Sequence, residues 1–152
     1  MIPNGLCLCE TQSRAHRPQL CGENYGKGWR VLAGPLISII DDDESMRSAL
    51  VALVRSADYD GRGFVSAEAF LSCGIVQDFA CIITDIQMPE MSGIELKQHL
   101  TKCQSRVPVI MITARNDSGI EEKALASGAV SFLRKPFEAQ ELIECLQRAL
   151  KN

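Results

Sequence analysis

No stretch of the 152-residue chain is apolar for long enough to span a bilayer, so a membrane-embedded protein is not expected. The first residues lack a basic start followed by a long apolar segment, which speaks against a secretory signal. Internal repeats and low-complexity tracts are absent, which excludes a repeat array. No CxxC pair occurs among the seven cysteines, and the two histidines, His16 and His99, complete no zinc-finger spacing. Positive charge is not in excess. The net charge of −3 and the lack of a basic recognition helix argue against direct nucleic-acid binding by this chain.

What is present has the composition of a globular domain, 46% hydrophobic and 23% charged. The length suits one domain with a real core rather than two. Cys7 and Cys9 form CxC, Cys21 stands alone, and Cys73, Cys81, Cys103 and Cys145 are scattered. Cys81 and Cys145 fall inside apolar patterns and read as small buried hydrophobes. The whole set is expected to be reduced and non-ligating, as in a cytoplasmic protein.

Residues 1–34 differ from the rest. They are rich in Gly, Pro, Asn, Gln and Arg and show no sustained period, so they read as a flexible N-terminal extension. They hold four Lys/Arg and two acids, which leaves 12 basic and 17 acidic residues beyond them, a net of −5. Because ordered patterning starts only near Leu36, a further hypothesis is that these residues are not native sequence and that translation starts at Val31 or Leu32. N-terminal sequencing that found residues before Val31 would refute it.

From Pro35 to Asn152 the chain alternates strand and helix. Residues 36–40 (LISII) form a short apolar run ending on acids, as a buried parallel strand does. Residues 45–57 place Met46, Ala49, Leu50, Leu53, Val54 and Ala57 on one helical face. A weak strand is expected at 60–64, then a helix over 67–73 with Ser66 as its N-cap. Residues 80–84 (ACIIT) are a strong strand ending at Asp85, followed by a helix over 93–104. Residues 107–113 (VPVIMIT) form the next strand, and a helix over 118–127 is stopped by Gly128. A short strand at 130–133 precedes Lys135-Pro136, and an amphipathic helix spans 138–150. Five β–α units of this kind imply an α/β fold, a doubly wound parallel sheet with helices on both faces.

In such a sheet the functional crevice lies outside the carboxyl ends of the strands. Those ends carry Asp41 and Asp42, then Asp85, then Thr113, then Lys135. Packed carboxylates repel and need compensation, and Mg²⁺ suits a few carboxylates with waters and phosphate oxygens. Lys135 and Thr113 add a cation and a donor for phosphoryl oxygens. The set fits an aspartyl phosphate: a carboxylate nucleophile, a metal and positioned donors. One Asp after a strand is ordinarily a turn former or N-cap. Joint occurrence at successive strand ends is what favours the chemical reading.

Four segments, IIDDDESMRSAL, TDIQMPEMSGIEL, VIMITA and GAVSFLRKPF, resemble the receiver domains of two-component response regulators. The resemblance runs from about Leu36 to Leu150, and SAEAFL with TDIQMP–MSG looks most like the FixJ-type subgroup. It implies a flavodoxin-like (βα)5 fold with strand order 2-1-3-4-5. It makes Asp85 the phosphoacceptor, with Asp41, Asp42, Asp85 and the backbone carbonyl of Gln87 as Mg²⁺ ligands. Asp43 extends the acidic run and receives no ligand role. Thr113 matches the switch hydroxyl, Phe132 the switch aromatic, and Lys135 the lysine that bonds the phosphoryl group. Lys135–Pro136 is expected to be cis. Two departures from the pattern appear. Asp58 stands where Gly is usual, and Gly61 and Gly63 lie in the second strand, which should be weak.

The resemblance implies that a sensor histidine kinase passes a phosphoryl group to Asp85. The face made by the fourth helix, fifth strand and fifth helix then changes shape. Such a protein is a self-modifying cytoplasmic switch, not an enzyme acting on a metabolite. Ile120 and Leu125 are available for a homodimer through that face, and a monomer fits the sequence equally. Two rival readings fit the residues less well. A haloacid-dehalogenase-type phosphatase needs an acid two residues after the nucleophile, where this chain has Gln87. A phosphorylation-independent interaction module would not need the complete site. Since the chain stops with the last receiver helix, it reads either as a stand-alone receiver or as part of a longer regulator. The residues name no kinase, stimulus, target or phosphate lifetime.

Overall fold

The structure, a computed structural model, describes residues 34–151. The readings placed on residues 1–33, including Cys7, Cys9, Cys21, His16 and the start-site hypothesis, lie outside the described residues. In chain order the elements are β1 (Leu36–Ile40), α1 (Glu44–Ser56), β2 (Asp60–Phe64), α2 (Ala67–Leu71), β3 (Cys81–Asp85), α3 (Gly93–Lys102), β4 (Val109–Thr113), α4 (Ser118–Ala126), β5 (Ser131–Arg134) and α5 (Ala139–Lys151). All strand pairs are parallel and the sheet order is β2-β1-β3-β4-β5, the doubly wound arrangement expected. Among the described residues no helix is long and apolar enough to cross a membrane.

Alternation along the three central strands feeds two cores. Ile37, Ile39, Cys81, Ile83, Ile110 and Ile112 pack with Leu50 and Val54 of α1 and with Leu142, Cys145, Leu146 and Ala149 of α5. Ile40, Ile82, Val109 and Met111 face the other way, onto Phe70, Leu96, Leu100 and Ala124 of α2, α3 and α4. Both faces of these strands are therefore apolar, which is why they read as continuous runs.

Several expectations need correction. Ala49 is exposed, and the buried stripe of α1 is Leu50 and Val54. The second helix stops at Leu71 rather than residue 73, and a 3₁₀ turn, Val76–Asp78, was not foreseen. That turn buries Val76 and Phe79, and Phe79 meets Phe64 and Phe70 at ring-centroid distances of 5.9 and 5.5 Å. β4 starts at Val109, because Pro108 has no N–H to give, although its carbonyl accepts the Ile82 N–H at 2.9 Å. β2 pairs with β1 along all five residues despite its glycines. Gly61 leaves room for α1, since a Cβ there would come 2.5 Å from Val54 Cγ2.

Asp58 adopts φ 65°, the left-handed conformation its position implied, and Gly128 ends α4 at φ 100°. Cys81 and Cys145 are buried and free, as read, and Cys73 is also free. Cys103 is not reduced but disulfide-bonded, so the reduced reading does not hold for the whole set.

Candidate functional site

Asp43 shows how local rules build the site. Its carboxylate accepts the Met46 N–H at 3.1 Å and so caps α1, which accounts for a third acid without a ligand role. Its own N–H donates to Asp41 Oδ1 at 2.9 Å, which turns the Asp41 carboxylate into the crevice. Asp41 is 1% exposed, while Asp42 is exposed. Across the sheet, Asp85 ends β3 with its backbone locked. The Ile86 N–H donates to Ile112 O at 2.8 Å, and the Gly93 N–H donates to Ile86 O at 3.0 Å. Asp85 Oδ1 accepts the Gln87 N–H at 3.0 Å.

Lys135 closes the site. The Lys135–Pro136 peptide is cis, as expected. The ammonium lies 3.2 Å from Asp85 Oδ2 and 3.3 Å from Asp41 Oδ2, so one cation bridges carboxylates from two strands. Burial alone would lower the Lys135 pKa, but Asp85 and then Asp41 outweigh it and hold the ammonium protonated above its ordinary range. Burial pushes the Asp41 carboxyl above its ordinary range and the Asp85 charge adds to this, against the pull of the Asp43 N–H and Lys135.

Carboxylate oxygens of Asp41, Asp42 and Asp85 lie within 4.8 Å of one another. Three hard oxygen donors this close, two of them buried and Asp41 costly to ionise, suit a small divalent cation. Gln87 meets the site through its N–H. Thr113 is fully buried at the end of β4, and its Oγ1 accepts the Arg115 N–H at 3.1 Å rather than touching a carboxylate. Phe132 is half-buried in β5, with the Arg134 guanidinium carbon 5.9 Å from its ring centroid. Arg134 in turn pairs with Glu121 of α4 at 2.9 Å, tying α4 to β5.

Two contributors escaped the sequence reading. Gly93 opens α3 against the Asp85 backbone, where a Cβ would come 2.5 Å from the Asp85 carbonyl oxygen. Its only signal was its place in the TDIQMPEMSG segment. Arg47 donates to the Asp41 carbonyl at 2.7 Å, and no spacing rule marks it.

Fold and site together define a class: a doubly wound α/β domain with acids at the carboxyl ends of its strands and a lysine bridging them. The chain belongs to the response regulator receiver domain family, whose sequence model matches residues 37–147. It is 38% identical over 116 residues to the response regulator protein TodT of Pseudomonas putida, covering 76% of this chain and 51% of that protein. It is 36% identical over 116 residues to the transcriptional regulatory protein FixJ of Bradyrhizobium diazoefficiens, covering 76% and 57%. The solved structure of FixJ-N matches with a TM-score of 0.72 at 34% identity, over 78% of this chain and 94% of that one. Response regulator StyR matches at 0.72 and 38%, over 78% and 60%. The chain thus spans about half the length of the curated relatives it matches, and its similarity is to the FixJ-type receivers.

Proposed function

We propose that the protein is a phosphoacceptor switch in which Asp85 takes a phosphoryl group from the phosphohistidine of a sensor kinase. The observation that carries this reading is the bridge made by Lys135 between Asp85 Oδ2 and Asp41 Oδ2, at 3.2 and 3.3 Å. An ammonium in that place can follow phosphoryl oxygens as they arrive. Asp41, Asp42 and Asp85 would hold Mg²⁺, with the Gln87 carbonyl as a further ligand. The ion would neutralise carboxylate charge and polarise the phosphoryl oxygens.

In the transfer, an Asp85 carboxylate oxygen attacks phosphorus in line. The O–P bond forms as the N–P bond of the kinase histidine breaks, and the histidine nitrogen leaves with the electron pair. The Gln87 N–H fixes the other Asp85 oxygen, and Lys135 meets the transferred group. Thr113 exchanges its Arg115 partner for a phosphoryl oxygen, and Phe132 moves into the vacated space. The face of α4, β5 and α5 then changes, which controls a partner or an output domain outside this chain. Leu125, 48% exposed, and Val130, 43% exposed, are the apolar groups a homodimer through that face would cover. Water attacking phosphorus later restores the carboxylate. The chemistry is confined to the protein's own aspartate, so it is a switch rather than an enzyme with a turnover substrate. We place it in the cytoplasm, where such a kinase exposes its phosphohistidine, and assign no DNA contact to this chain.

Intact mass after incubation with Mg²⁺ and acetyl phosphate tests this. One phosphoryl group should be gained by the parent, and none by Asp85→Asn or without Mg²⁺. A folded parent that gains nothing would favour an interaction module that works without phosphorylation.

A further inference from the structure

Arg47 sits awkwardly for a cation site. Its guanidinium Nη1 lies 2.7 Å from the backbone oxygen of Asp41, the most deeply buried acid of the cluster. Any positive charge there repels an incoming cation, so its charge alone works against binding. Its contacts suggest another task. Arg47 belongs to α1, half-buried, and its stem crosses β2 at Gly63. A Cβ on Gly63 would come 3.0 Å from Arg47 Cγ and 3.1 Å from Cδ, closer than an ordinary contact. The glycine in this strand, unusual for its β-propensity, is where the stem passes.

With Arg47 in place, the main chain of Asp41 is held on both sides. Its N–H donates to Phe64 O at 3.1 Å and its carbonyl accepts from Arg47. The Asp43 N–H then fixes Oδ1 at 2.9 Å. The turn from β1 into α1, which carries both Asp41 and Asp42, is thereby tied to the edge strand.

We propose that Arg47 is a positioning residue for cation binding, acting through the Asp41 carbonyl, and that Gly63 is required in β2 to admit it. The proposal rests on reading the acidic cluster as a Mg²⁺ site. Outer-shell partners of metal ligands commonly contribute about tenfold or more in affinity.

The test is a Mg²⁺ titration of the parent, Arg47→Ala, Gly63→Ala and the double variant, following the Asp43 and Gln87 amide resonances, with a urea melt of each as a check of folding. Arg47→Ala should weaken Mg²⁺ binding about tenfold. An effect of charge alone would tighten it, so the sign decides. Gly63→Ala, which keeps the Arg47 charge but crowds its stem, should weaken binding in the parent and have no further effect in the Arg47→Ala background. Folded single variants that bind Mg²⁺ as tightly as the parent, or tighter, would overturn the positioning role while leaving the metal site standing. Equal effects of Gly63→Ala in both backgrounds would overturn the link between the two residues. A parent that shows no response to Mg²⁺ would remove the metal reading itself, and this proposal with it.

Discussion

Gly93→Ala adds a single methyl group, and the structure gives it nowhere to go. Its Cβ would lie 2.5 Å from the Asp85 carbonyl oxygen, 3.1 Å from Ile86 Cα and 3.2 Å from the Asp85 carbonyl carbon. These are backbone atoms at a strand end bonded to β4 on one side and to the start of α3 on the other, so no side chain can rotate away. Relief requires α3 to shift outward by roughly an ångström. Overpacking of this kind costs about 1–3 kcal/mol. Alanine regains at most about 1 kcal/mol of helix propensity, and less at a first helical position. The net loss is about 1–2 kcal/mol, or about 4–8 °C in Tm for a domain of this size. Urea unfolding followed by circular dichroism should show a lower midpoint with an unchanged slope. Ser92→Ala is the control. It removes the capping box with Glu95 at the same helix end and costs about 0.5–2 kcal/mol without touching Asp85. Gly93→Ala should also weaken Mg²⁺ binding, and Ser92→Ala should not. A Gly93→Ala variant as stable as the parent would refute the claim that this close approach sets the geometry of the site.

Lys135→Met should cost about 1–3 kcal/mol at pH 7, because two carboxylates lose a charged partner. The folded-state pKa of Lys135 lies above its ordinary 10.5, so the contribution is complete below pH 10.5 and is lost as pH climbs through the folded value. The stability gap between parent and variant, measured by urea melts from pH 7 upward, should therefore be flat to about pH 10.5 and narrow above it. Ser38→Ala should stabilise by about 1 kcal/mol, since Ser38 Oγ is buried without a hydrogen-bond partner; an unchanged or lower urea midpoint would count against this. Cys81, whose thiol is pushed up to about 12 by burial, should resist alkylation at pH 8 until the protein is unfolded, as peptide mapping would show.

The central sheet was legible because β1, β3 and β4 are buried on both faces and end on polar groups that have no place in a core. That combination names the strands and the crevice at once, and it put Asp41, Asp42, Asp85, Thr113 and Lys135 at strand ends before any likeness was invoked. The order of the strands was not legible from pattern and came from the resemblance. Periodicity failed where burial depends on the partner: Ala49 has helical phase with Leu50 and Val54 yet faces solvent. The 3₁₀ turn escaped because three residues carry no period. Arg47 and Gly63 escaped because their link runs through space, from a helix, across an edge strand, to a carbonyl that no side-chain pattern reports. Cys103 shows the limit of spacing rules, which do not say whether a given cysteine is bonded.

The proposed switch requires Asp85 to be the phosphoryl acceptor. The most direct measurement is to label the protein with acetyl phosphate and Mg²⁺, reduce the acyl phosphate with borohydride, and sequence the peptides by mass spectrometry. Homoserine at position 85 and at no other acid is the predicted result. Homoserine at Asp41 or Asp42 with Asp85 untouched, or no conversion in a folded protein, would contradict it.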